Sequence, residues 1–139
     1  MSKITPELIT KLAENELFVF GSNLAGNHNG GAAKTALENF GAIAGRGEGL
    51  QGNSYALPTL REDMRVLTVT EISEHVKTLL TFIKETPDKH FLVTPVACGI
   101  AGHKPEDIAP LFRDFYPLEN TSLPQVFLDV IITPGAKGF

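Results

Sequence analysis

Four apolar residues, Leu17-Phe18-Val19-Phe20, stop abruptly at Gly21, and the eleven-residue stretch GSNLAGNHNGG (21–31) then leads into a helix-like segment. A short apolar run bounded by glycine is expected of a strand buried on both faces. Ala32 to Phe40 reads as a helix with Ala33, Ala36, Leu37 and Phe40 inward, closed by Gly41 as its C-terminal cap. Strands that alternate with helices favour a sheet covered on both sides, and this pattern continues along the chain.

Thr5-Pro6-Glu7 predicts a helix start, with Leu8, Ile9, Leu12 and Ala13 following at helical spacing. Residues 41–52 are glycine-rich and precede a strand, Ser54-Tyr55-Ala56-Leu57, that should stop at Pro58. Thr68 and Glu71 form a capping box, behind which Ile72, Val76, Leu79, Leu80 and Ile83 mark the apolar face of a helix. Phe91 to Thr94 reads as a buried strand that runs into a second glycine loop, Cys98 to His103. A helix is expected from Pro105, with Ile108, Leu111, Phe112 and Phe115 inward, and a final strand over 126–132. The result is a single α/β domain over 1–139, with three α/β/α layers.

Composition narrows the functions open to such a domain. A net charge of −4 argues against a nucleic-acid partner, which selects for a basic surface. No stretch approaches the roughly 20 apolar residues of a membrane span, and the N-terminus lacks a signal-peptide core. Asn120-Thr121-Ser122 matches a glycosylation sequon but reads as a surface turn, and the lone Cys98 can form no internal disulfide. The expected compartment is the cytosol. No spacing of His, Cys, Asp and Glu suggests a metal, and nothing calls for a cofactor.

Nine of the 13 glycines fall between residues 21 and 52. Ligands of α/β folds gather beyond the carboxyl ends of the strands, from which both glycine loops leave. Gly30, Gly31 and Ala32 open a helix, so their N–H groups and the helix dipole suit an anion. Gly99, Ile100, Ala101 and Gly102, beside Cys98, form a possible anion nest. Gly21, Ser22 and Asn29 complete the candidate binding set. Asn23 either hydrogen-bonds a sugar hydroxyl or caps its own turn. His28 is a candidate proton carrier in an exposed loop, while His75 and His90 are placed at surface or helix-end positions. Cys98 reads as a buried, inert thiol. Lys34, Arg46 and Lys104 either add positive charge near the loops or, as lysine and arginine usually do, read as solvated surface residues. Gly47-Glu48-Gly49-Leu50-Gln51-Gly52 matches GxGxxG but opens no helix, so it is not a dinucleotide fingerprint; it either lines a pocket or simply connects.

Residues 17–37 (LFVFGSNLAGNHNGGAAKTAL) and 91–112 (FLVTPVACGIAGHKPEDIAPLF), with GLQGNSYALPT between them, resemble the macrodomain family of ADP-ribose-binding folds. The same segments are similar to small phage and bacterial proteins of no assigned function. The resemblance implies a small phosphate-bearing ligand of ADP-ribose type. It places Asn23 at the distal ribose, Gly30 and Gly31 in the first ligand loop, and 99–102 on the diphosphate. The family's adenine-reading aspartate has Leu8 as its nearest equivalent, which leaves the base open. Three functions follow: a hydrolase of ADP-ribosyl or sugar-phosphate bonds with Asn23 and His28 as its catalytic candidates, a binder without turnover, or an interaction domain. The oligomeric state is left open.

Overall fold

The computed structural model describes residues 3–132. Its first strand, β1 (Glu16–Asn23), is the predicted apolar run extended at both ends. Helix α1 (Gly31–Asn39) follows, then β2 (Gly49–Gln51), β3 (Ser54–Leu60), helix α2 (Val69–Lys84) and β4 (His90–Val93). Helix α3 (Pro105–Ile108) passes into a 3-10 segment, Ala109–Phe115, before β5 (Thr121–Ser122) and helix α4 (Gln125–Ile131). The five strands lie in the order β2-β3-β1-β4-β5. All neighbours are parallel except β2, which is antiparallel to β3. This is a mixed α/β domain.

Alternation along β1 divides the core. Phe18 and Phe20 join Ala33 and Ala36 of α1, and Phe40 at its C-terminal cap, on one face. Leu17 and Val19 join Ile72, Val76, Leu79 and Ile83 of α2 on the other, together with Phe112, Phe115 and Phe127. The capping box of α2 is present: the Thr68 hydroxyl accepts from Glu71 N at 3.1 Å, and the Glu71 carboxylate accepts from Thr68 N at 2.9 Å. Because β3 and β4 flank β1, the chain crosses the sheet after β3, and β1 ends at the topological switch point.

Several expectations are corrected. No helix forms over 5–13. Nine residues make a marginal helix on their own, and tertiary pairing takes the segment instead: Thr5 N donates to Leu123 O at 2.9 Å and Leu123 N to Lys3 O at 2.8 Å. Residues 125–131 are helical rather than extended, with Phe127, Leu128 and Ile131 buried. A short apolar run carries no decisive period, and here helical burial prevails. The outer edge of the sheet is taken by Thr121 and Ser122, expected in a surface turn but fully buried. His90, expected at the surface, is buried beside them, with Nε2 2.7 Å from Ser122 Oγ. Strand β3 runs through Pro58 to Leu60. Strand β2 pairs with β3 only as far as Ala56, so Pro58 lies where β3 is an edge and lacks only an unpaired donor. The helix from Pro105 tightens into 3-10 geometry at Pro110, which removes an intrahelical donor. Residues 49–51, expected in a loop, form the edge strand β2.

Candidate functional site

A cavity of about 370 Å³ opens at the carboxyl ends of β1, β3 and β4. Its floor is Gly21 to Asn23 of β1; one wall is Asn29 to Ala33, running into α1. Thr59, Leu60 and Met64 approach from the β3 side, and Thr94, Pro95, Ala97 and Gly99 to Ala101 from the β4 side. The two predicted loops therefore meet: a Cβ built on Gly30 would lie 3.8 Å from Ile100 Cδ1.

The polar side chains of the lining are largely engaged with backbone. Thr59 Oγ1 donates to Ser22 O at 3.2 Å and Thr94 Oγ1 to Val19 O at 2.7 Å, while Ser22 Oγ donates to Gly47 O. Asn23 is 3% exposed and braces its own turn, donating from Nδ2 to Asn27 O at 2.8 Å and accepting from Asn27 N at 2.9 Å. Its carboxamide caps the loop, with one N–H and one lone pair left over.

Main-chain donors remain. At the start of α1 the capping residue is Gly30, no side chain caps the helix and no acid occupies the first turn. Among the described residues the amides of Gly31, Ala32 and Ala33 have no partner, since the first turn of a helix cannot satisfy its own N–H groups. In the second loop Cys98 N, Gly102 N and His103 N are bonded to Pro95 O, Gly99 O and Ala97 O, which leaves Gly99, Ile100 and Ala101 with free amides. The nest is thus narrower than expected: Cys98 and Gly102 do not line the cavity. No charged residue among those described lines it, so Lys34, Arg46 and Lys104 add no direct cation.

His28 is corrected most sharply. Expected in an exposed loop, it is 1% exposed and absent from the lining. Its Nε2 lies 3.1 Å from Arg46 O and 3.2 Å from Gln51 Oε1, and its ring meets Phe20 edge-on at 5.2 Å. The imidazole fastens the first loop to residues 43–51. Gln51, whose amide also accepts from Ile43 N at 2.7 Å and donates to Arg46 O at 3.0 Å, completes the fastening. The glycines of 41–52 therefore support the site without lining it. The Cys98 thiol is pushed up to about 11 by burial and by Glu106, so it stays protonated near neutral pH. His75 pairs with Glu48 at 2.7 Å, tying α2 to the turn before β2.

Sequence reasoning missed Thr59, Thr94, Met64 and Ala97. The threonines had a usable signal, since polar residues that end an apolar strand face the ligand edge. Met64 and Ala97 had none. At φ 73° and 65° they are the two non-glycine residues with positive φ among those described, and both line the cavity. Strain of this kind costs on the order of 1–3 kcal/mol and concentrates at functional sites.

A second cavity of about 440 Å³ adjoins the first, sharing Ala32, Thr94 and Pro95. The 5–9 segment, Phe18 and Pro124 to Val126 line it. Thr5 Oγ1 is buried there without a partner among the described residues, and Glu7 is the one charged group in the lining. Leu8 is 80% exposed and also borders it.

The chain matches no protein-family model, no curated protein and no solved structure. Among the described residues no helix is long and apolar enough to cross a membrane, and no group of three His, Cys, Asp or Glu is placed to hold a metal.

Proposed function

We propose that the protein binds a nucleotide-derived phosphate ligand of ADP-ribose type, holding the phosphates on main-chain amides. The observation that carries this reading is the pair of unpartnered amide rows, 31–33 and 99–101, bordering one uncharged cavity. A helix N-terminus joined to a second set of free N–H groups is a recognised anion grip, and two such rows suit a diphosphate. In a protein of net charge −4, local amides rather than the overall field must supply the attraction. The adjoining cavity would take the rest of a nucleotide, with Glu7 and the Thr5 hydroxyl among its polar groups. The resemblance to macrodomains points to the same ligand class. A cytosolic location fits the single, protonated Cys98.

Binding without turnover is the better-supported form. Asn23 is engaged in its turn, His28 is buried outside the cavity, and no lining residue among those described is an acid or base. Hydrolysis would have to rely on a water positioned by the ligand.

Gly99→Glu tests the reading. A Cβ at Gly99 meets nothing within 4 Å, so the fold tolerates the change while a carboxylate enters the anion site. Calorimetry with ADP-ribose should show affinity reduced at least about tenfold, a difference of roughly 1.4 kcal/mol. Undiminished affinity in a folded Gly99→Glu variant would remove the second loop from the site.

A further inference from the structure

Two large apolar side chains stand exposed at the rim of the amide cavity, and the core uses neither. Ile100 is 75% exposed and Met64 47% exposed, and both belong to the lining. Met64 lies in the hairpin that closes the Leu60–Val66 bridge. Its N–H donates to Arg61 O at 3.0 Å, and Arg61 N donates to Arg65 O at 2.7 Å. The Asp63 carboxylate accepts from Arg65 N at 3.1 Å and from Arg65 Nε at 2.8 Å. The turn is thus held firmly around a methionine at φ 73°, a conformation that glycine or asparagine adopts at lower cost. A backbone role does not account for methionine there. Its side chain does.

The sheet order supplies the geometry. The Met64 hairpin leaves the end of β3 and the Ile100 turn leaves the end of β4, one strand to either side of β1. At the sheet edge these strands are two spacings apart, roughly 10 Å, a gap that one sugar or base ring fills once side chains project into it. The free amides of α1 line the same cavity as both turns.

We propose that Met64 is a specificity-determining residue. With Ile100 on the opposite wall, it grips the apolar face of a ribose or base ring attached to the phosphates, so the site selects ring-bearing diphosphate esters over bare diphosphate. A flexible, polarisable thioether suits a ring face and adapts to its tilt. The inference rests on the amide cavity being the anion site.

The test compares ADP-ribose with inorganic pyrophosphate in the wild-type protein and in Met64→Ala and Met64→Gly. Calorimetry should show ADP-ribose weakened about tenfold in both variants, with pyrophosphate changed by less than about twofold. Met64→Gly relieves the positive φ, so its melting temperature should equal or exceed that of the wild type. If pyrophosphate binds and ADP-ribose affinity survives Met64→Ala, the inference falls while the anion site stands. Equal weakening of both probes, or a lower melting temperature for Met64→Gly, also overturns it, because Met64 would then serve the pocket or the fold as a whole. If the wild type binds neither probe, the anion reading fails and the inference fails with it.

Discussion

Around Gly26, Gly47 and Gly52 two stretches of backbone are pressed together, whereas around Gly30, Gly31 and Gly99 the backbone stands open. A Cβ on Gly26 would lie 2.3 Å from Arg46 N, one on Gly47 2.4 Å from Asn23 O, and one on Gly52 2.6 Å from Gly41 O. On Gly31 and Gly99 it would meet nothing within 4 Å. Gly26 and Gly47 let the 21–31 loop pack directly on 41–52, where His28 and Gln51 lock the two together, while Gly52 lets the second stretch close on its own start at Gly41. The second group has no packing demand to meet. Gly31 still answers a backbone demand, its φ of 59°, but neither packing nor a positive φ calls for glycine at 30 and 99, and the proposed ligand gives these two a role beside the unpartnered amides. Glycine enrichment alone does not separate these two situations; the space around each glycine does.

Substitutions can break that contrast. The largest loss of stability is expected for Gly26→Ala, which adds both a backbone clash and a side chain at φ 74°; chemical denaturation should show about 3 kcal/mol or more. His28→Ala removes a buried ring and its bonds to Arg46 O and Gln51, at about 2 kcal/mol. Because His28 does not line the cavity, ADP-ribose affinity should fall less than in Gly99→Glu. His90 belongs to the packed part of the molecule, where burial chiefly, and Lys3 in addition, hold its pKa below 6.5 against the opposing pull of Glu16. The unfolded chain therefore takes up a proton before the folded one does, so stability should decline as pH falls below 6.5, and the slope should lessen in His90→Gln. The smallest effect is expected for Gly99→Ala, within about 0.5 kcal/mol of wild type. A Gly99→Ala cost as large as that of Gly26→Ala would erase the distinction.

Much of this architecture was legible in the residues. The abrupt end of β1 at glycine, the Thr68–Glu71 box and the stripe on α2 predict a helix-covered sheet, and the strand-to-helix order places both glycine loops at one edge. Three readings failed where tertiary context outweighed local pattern. The 5–13 segment carries helix signals but is drawn into pairing with Leu123. Val126 to Ile132 is apolar enough for a strand, yet Thr121 and Ser122, two polar residues without any strand signature, hold the position beside β4. The buried Ser122–His90 hydrogen bond makes that exchange tolerable. Within the candidate site, composition pointed to Gly30 to Ala32 and to Cys98 to Gly102, whereas the unpartnered amides are those of 31–33 and 99–101, Ala33 reading as a core residue. It gave no sign that His28 turns inward, because its burial depends on a backbone approach between Gly26 and Arg46 that spans twenty residues of chain. Met64 was equally invisible, since positive φ at methionine has no sequence signature.

Amide chemical shifts report directly on the N–H groups proposed to hold the anion. In a titration of ¹⁵N-labelled protein with ADP-ribose, the largest downfield amide-proton shifts should fall on Gly31, Ala32, Ala33, Gly99, Ile100 and Ala101, with Cys98, Gly102 and His103, already bonded internally, changing little. Saturating shifts that bypass both of these rows, or spectra unchanged at millimolar ligand, would contradict the proposal.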